Sequence, residues 1–74
     1  MATTSIDLKG LKCPLPALKL RKALKAHASG DVLVVECTDP MAAIDIPHLV
    51  NETGDTLVAQ EVRDGLLTFT VRKA

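Results

Sequence analysis

Aromatic side chains are almost absent from this 74-residue chain: Phe69 stands alone, without a single Trp or Tyr. That excludes a core built on ring packing. It also removes the stacking platforms on which single-stranded nucleic acids are usually held. Cysteine is scarce too, and Cys13 and Cys37 are too few for a disulfide-dense secreted scaffold. No apolar run approaches the roughly 20 residues that cross a bilayer. The stretch 1–7 has no basic segment leading into an apolar one, so no secretory signal is expected. His27 and His48 do not combine with the cysteines in any recognised metal-ligand spacing. A glycine-rich phosphate loop and a paired-carboxylate arrangement are missing as well. These absences lead to an expectation of one soluble, cytoplasmic domain over residues 1–74, with reduced thiols. It should act as a monomer without cofactor or metal, without membrane insertion and without direct nucleic-acid binding.

What the chain does have is aliphatic bulk. Apolar residues make up 47% of it, so Leu, Val, Ile and Ala must supply the core of a domain near the lower size limit for independent folding. The net charge is zero, but the signs are segregated. Lys9, Lys12, Lys19, Arg21, Lys22 and Lys25 run without an intervening acid. From Asp31 to Asp64 the acids are interrupted only by Arg63. Such a basic run reads equally well as a solvated helix face or as a docking surface.

Periodicity predicts the elements. Residues 5–9 alternate as a short strand with Ile6 and Leu8 on one face, and Gly10 breaks it. Residues 14–28 read as a helix with Pro14 at its first position and Gly30 as its stop. Its apolar stripe is Ala17, Leu20, Leu24 and Ala28, flanked by Ala23 and His27, and Lys19, Lys22 and Lys25 lie opposite. Residues 32–38 form a β-branched strand that directs Leu33, Val35 and Cys37 to one side. Asp39 and Asp45 read as helix caps. Because Pro47 disfavours helix at Ile46, the second regular helix is expected only from about 45 or 46 to 53, closed by Gly54. Strands over 56–62 and 66–72 are joined by a hairpin at Asp64-Gly65. The order is βαβαββ. Two helices on one face of a four-stranded mixed sheet, a two-layer α/β sandwich, satisfies it most economically.

The chemistry concentrates at Cys13-Pro14-Leu15-Pro16. A cysteine capping a helix N-terminus meets free amides and the positive end of the dipole, which lowers thiol pKa. Pro14 and Pro16 have no N–H, so Leu15 is the expected donor to the sulfur and the lowering should be moderate. Leu15 and Leu18 fall on the basic face. With Lys12, Lys19 and Lys22 they form a candidate docking patch beside the thiol. No cysteine stands three residues on, which separates the motif from a Cys-x-x-Cys oxidoreductase. Cys37 ends a core-facing strand and reads as packing rather than as a resolving thiol.

At these four residues the chain resembles the TusA/SirA family of small sulfur-carrier proteins. The resemblance extends to Asp7, Gly10, Leu11, Arg21-Lys22, Asp39-Pro40, Asp45-Ile46-Pro47 and Arg72-Lys73, and so covers essentially the whole chain. It implies the fold of the C-terminal domain of a translation initiation factor, with sheet order 1-2-4-3. It also implies that Cys13 bears a persulfide, with Pro14, Leu15 and Pro16 positioning it. The implied donor is a cysteine desulfurase or rhodanese and the implied acceptor a sulfur-relay protein, in one branch toward tRNA thiolation. The chain departs from the pattern at Leu15, acidic in some relatives, and at Ala43-Ile44, where some carry Thr-Arg. The alternative function is a redox-sensing or regulatory interaction module, for example one that docks a membrane transporter of sulfur compounds.

Overall fold

The computed structural model describes residues 3–74; residues 1–2, part of the stretch read above for a signal sequence, lie outside it. Six elements follow the expected order: β1 (Thr3–Leu8), α1 (Leu15–Lys25), β2 (Val32–Cys37), α2 (Ala42–Thr53), β3 (Thr56–Arg63) and β4 (Leu66–Arg72). The strands form one sheet in the order β1-β2-β4-β3, as the resemblance implied. β1 and β2 run parallel from Thr3↔Val32 to Leu8↔Cys37, whereas β4 is antiparallel to both β2 and β3.

Strict alternation in β2 and β4 decides which face of the sheet is covered. Leu33, Val35, Cys37, Leu67, Phe69 and Val71 are buried, and the residues between them are only partly so. Both helices pack on that buried face, with Leu20 and Leu24 from α1 and Ile46, Leu49 and Val50 from α2 completing the core. Phe69 lies there at zero exposure. The β3–β4 hairpin turns on Asp64 (φ 50°) and Gly65 (φ 79°), the paired left-handed conformation that matches strand twist.

The helices depart from expectation at their ends. α1 is capped at Ala26, and Ala28 lies exposed beyond it rather than on the apolar stripe. The chain turns early because the Asp31 carboxylate accepts the Ala28 amide (3.0 Å) and the Asp31 amide bonds back to the Ala28 carbonyl (3.0 Å). His27 is half-buried, its Nδ1 donating to the Ala23 carbonyl at 2.7 Å and its Nε2 3.3 Å from the Thr4 hydroxyl.

α2 is longer than expected and begins at Ala42 with Pro47 inside it. Packing overrides the local penalty. Ala42, Ile46, Leu49 and Val50 are spaced as one helical face, all buried against the sheet, and they hold the turn that Pro47 would loosen. At the other end Gly54 adopts φ 79°, and the Asp55 amide reaches the Val50 carbonyl at 3.1 Å, closing the helix as anticipated.

Candidate functional site

Two successive strand–helix units with parallel strands bring both helix N-termini to one edge of the sheet, beyond Leu8 and Cys37. The loop from β1 to α1 is tied across that edge to the β2–α2 turn. Gly10, at φ 82°, donates its amide to the Thr38 hydroxyl at 2.9 Å. Three residues on, the Cys13 amide donates to Oδ2 of Asp39 at 2.6 Å. The other oxygen of Asp39 accepts the Met41 amide at 3.0 Å. The two amides, the Cys13 bond first and then the Met41 bond, together with nearby Lys12, hold the Asp39 carboxyl below its usual range. Asp39 thus turns the chain into α2, close to the capping role expected of it, and also fixes the backbone that carries the thiol.

Cys13 itself is exposed, and its peptide bond to Pro14 is cis. It is not the helix cap. Pro14 occupies that position, and the first helical bond runs from the Leu18 amide to the Pro14 carbonyl at 3.1 Å. The Leu15 amide, expected to serve the sulfur, bonds the Lys12 carbonyl at 2.9 Å instead. The sulfur acts as a donor: Sγ–H points to Oδ2 of Asp45, 2.5 Å away.

This reverses the expected electrostatics. The hydrogen bond to Asp45, then partial loss of solvent, then the negative charges of Asp45 and Asp39 push the thiol pKa up rather than down. The helix-start motif alone predicts a sulfur on the axis of its own helix, with Asp45 as a cap. In the structure Asp45 lies within the first turn of α2 and caps nothing; its carboxylate meets the sulfur.

The remaining site residues divide into two groups. Pro16 is fully buried in the first turn of α1. Pro14 is exposed, and so are Leu15 (45%) and Leu18 (53%), which leaves both leucines free to contact a partner. Leu18 lines a groove of about 250 Å³ with Cys13 and Pro14, opposite Asp45 and Leu49. Lys12, Lys19 and Lys22 are exposed but line no part of that groove; Arg21 and Glu52 provide its charged flank.

Sequence reasoning missed the α2 half of the surface. Met41 and Ile44 are 46% and 64% exposed at the start of α2, the same turn that carries Asp45. The signal was available in the parallel βαβ connection, which obliges the two helix starts to be neighbours. Cys37 has the burial expected of it. It is wholly enclosed, and desolvation, with a smaller contribution from Asp39, raises its pKa to about 11.

Fold and site together define a class: a small two-layer α/β protein that displays one exposed thiol where two helix N-termini meet. The model of the family described as Sulfurtransferase TusA matches residues 4–73, and the chain belongs to that family. It is 40% identical over 72 residues to a Neisseria meningitidis serogroup A protein named for a sulfur-carrier role, with 97% of each chain covered. It is 38% identical over 69 residues to the sulfur carrier protein TusA of Allochromatium vinosum, covering 93% of this chain and 91% of the relative. The crystal structure of a SirA-like protein from Desulfitobacterium hafniense shares the fold, with a TM-score of 0.82 at 22% identity over 93% of this chain and 95% of the other.

Proposed function

We propose that this protein is a cytoplasmic, monomeric sulfur carrier in which Cys13 takes up sulfane sulfur as a persulfide and relays it to an acceptor protein. The observation that carries the reading is the display of Cys13. It is the exposed one of the two thiols, held on a loop whose amides are tied to Thr38 and Asp39. Nothing in the motif can resolve an adduct on that sulfur, because Cys37 is enclosed in the core. An adduct formed on Cys13 therefore persists until a thiol from outside the chain attacks it.

In loading, the Cys13 sulfur attacks the outer sulfur of a donor persulfide and a new S–S bond forms. The donor's inner sulfur leaves with the old bonding pair and is protonated. In unloading, an acceptor cysteine attacks the outer sulfur and the Cys13 thiolate is the leaving group. Both steps conserve oxidation level, so no external oxidant or reductant enters. Family membership supports a cysteine desulfurase or rhodanese as donor and a relay protein, in one branch serving tRNA thiolation, as acceptor. The exposed Leu15 and Leu18 on α1, and Met41 and Ile44 at the start of α2, offer those partners apolar contacts. Intact-mass measurement after incubation with a desulfurase and free cysteine tests the reading. One added sulfur is expected in the wild type and in Cys37→Ala, and none in Cys13→Ser. Absence of the adduct from the wild type refutes it.

A further inference from the structure

Among the described residues Asp45 is the one side chain bonded to the sulfur, yet the transfer of sulfur itself needs no carboxylate there. Ordinary structural duties do not account for it. Asp45 caps no helix, and the ion pairs among the described residues join His48 to Glu52 and Arg63 to Glu61. Four other charged groups surround the contact: Lys12 in the β1–α1 loop, Asp39 in the β2–α2 turn, and Arg21 and Glu52 along the groove from α1 and α2. Asp39 is occupied with two backbone amides. The Asp45 carboxylate therefore faces Sγ with no cationic ion-pair partner among the described residues. An S–H suits that position and a thiolate does not, since two anions would then be in contact.

We propose that Asp45 controls when Cys13 can react: its carboxylate keeps the sulfur as S–H in the free protein, and transfer stays slow until a docked partner places a cationic group on Asp45. The proposal rests on the sulfur-carrier reading for its purpose, not for its chemistry. With Asp45 paired, the S–H proton passes to solvent and the Sγ electron pair becomes available. That pair forms the bond to the outer sulfur of the donor persulfide. The bond between the donor's two sulfurs breaks toward the inner one, which leaves as a thiolate and takes a proton from solvent. Because thiolates rather than thiols are alkylated and oxidised, the same contact shields the unloaded carrier from indiscriminate electrophiles and peroxide. It also assigns a chemistry to the partner: a lysine or arginine that reaches Asp45 in the groove lined by Leu18 and flanked by Arg21 and Glu52.

Iodoacetamide labelling of Cys13 across pH, followed by intact mass on the full chain, tests this. Cys37 serves as the buried internal reference. In Asp45→Asn and Asp45→Ala the midpoint of the rate profile should move to lower pH, giving several-fold faster labelling at neutral pH. Loading by glutathione persulfide should accelerate in the same variants. An unmoved or higher midpoint overturns the proposal, and so does slower loading, which would make Asp45 a proton acceptor instead. Should the variants unfold, the wild type suffices. Cys13 must titrate at higher pH in the native protein than in the same chain under denaturant, and the opposite order overturns the proposal. Failure of wild-type persulfide loading, with the labelling shift intact, would refute sulfur carriage but not the control by Asp45.

Discussion

Ile44 and Ile46 lie two residues apart on α2, yet the structure assigns them opposite consequences. Ile46 is completely buried against the sheet and holds the turn that carries Asp45; Ile44 is 64% exposed. Replacing Ile46 by Ala removes three buried carbons, about 2.4 kcal/mol at roughly 0.8 kcal/mol each. Incomplete collapse of the cavity raises that to about 3 kcal/mol. A chain of 74 residues has a total stability of roughly 4–11 kcal/mol, so the loss is a large fraction of it. At roughly 4–8 °C per kcal/mol it lowers Tm by about 12–24 °C. Ile44→Ala should cost under about 0.5 kcal/mol, as exposed sites do. Urea denaturation followed by circular dichroism, with thermal melts alongside, measures both. A loss below about 1 kcal/mol in Ile46→Ala would refute the placement of this face in the core. An equal loss in both variants would refute the assignment of Ile44 to the surface.

Two further outcomes follow from the site. Leu18→Glu, at a position 53% exposed in the groove beside the thiol, should leave the thermal melt unchanged. It should slow loading from a protein donor while leaving loading from glutathione persulfide intact, and equal slowing with both donors would exclude a docking role. Cys37 introduces an alkaline limit. Its native pKa, near 11, lies above the ordinary thiol value of 9.0, so folding favours the protonated form. Its stabilising effect is complete below about pH 9 and is lost as pH rises through 11. Denaturation measured at successive pH values should show that decline in the wild type and a shallower one in Cys37→Ala; identical slopes would refute the assignment.

Much of the architecture was legible because the signals were local. The alternation of Leu33, Val35 and Cys37 marked the covered sheet face. Asp64-Gly65 and Gly54 marked a turn and a helix end by their backbone requirements. Where local preference and packing disagree, the reading failed. Pro47 suggested a late start for α2, but the buried face of Ala42 and Ile46 carried the helix back to Ala42. At the site, Cys13 could be found from its own neighbours. The sign of its pKa shift could not, since it depends on a carboxylate 32 residues away. Nor is the Leu15 amide free to serve the sulfur, because the early turn from Lys12 to Leu15 claims it.

The cross-edge ties of Cys13, its amide on Asp39 and its sulfur on Asp45, join segments that have no proximity in an extended chain. They depend on β1 lying beside β2 in the one register that sets Leu8 against Cys37. A ribosome-bound or heat-unfolded chain lacks that pairing and presents Cys13 as an ordinary thiol with no acid beside it. Oxidative damage to this sulfur should therefore accumulate during synthesis and under heat stress, in proportion to the unfolded fraction. The rate at which Cys13 is modified then serves as an internal gauge of folding, read at the residue on which the protein's chemistry depends.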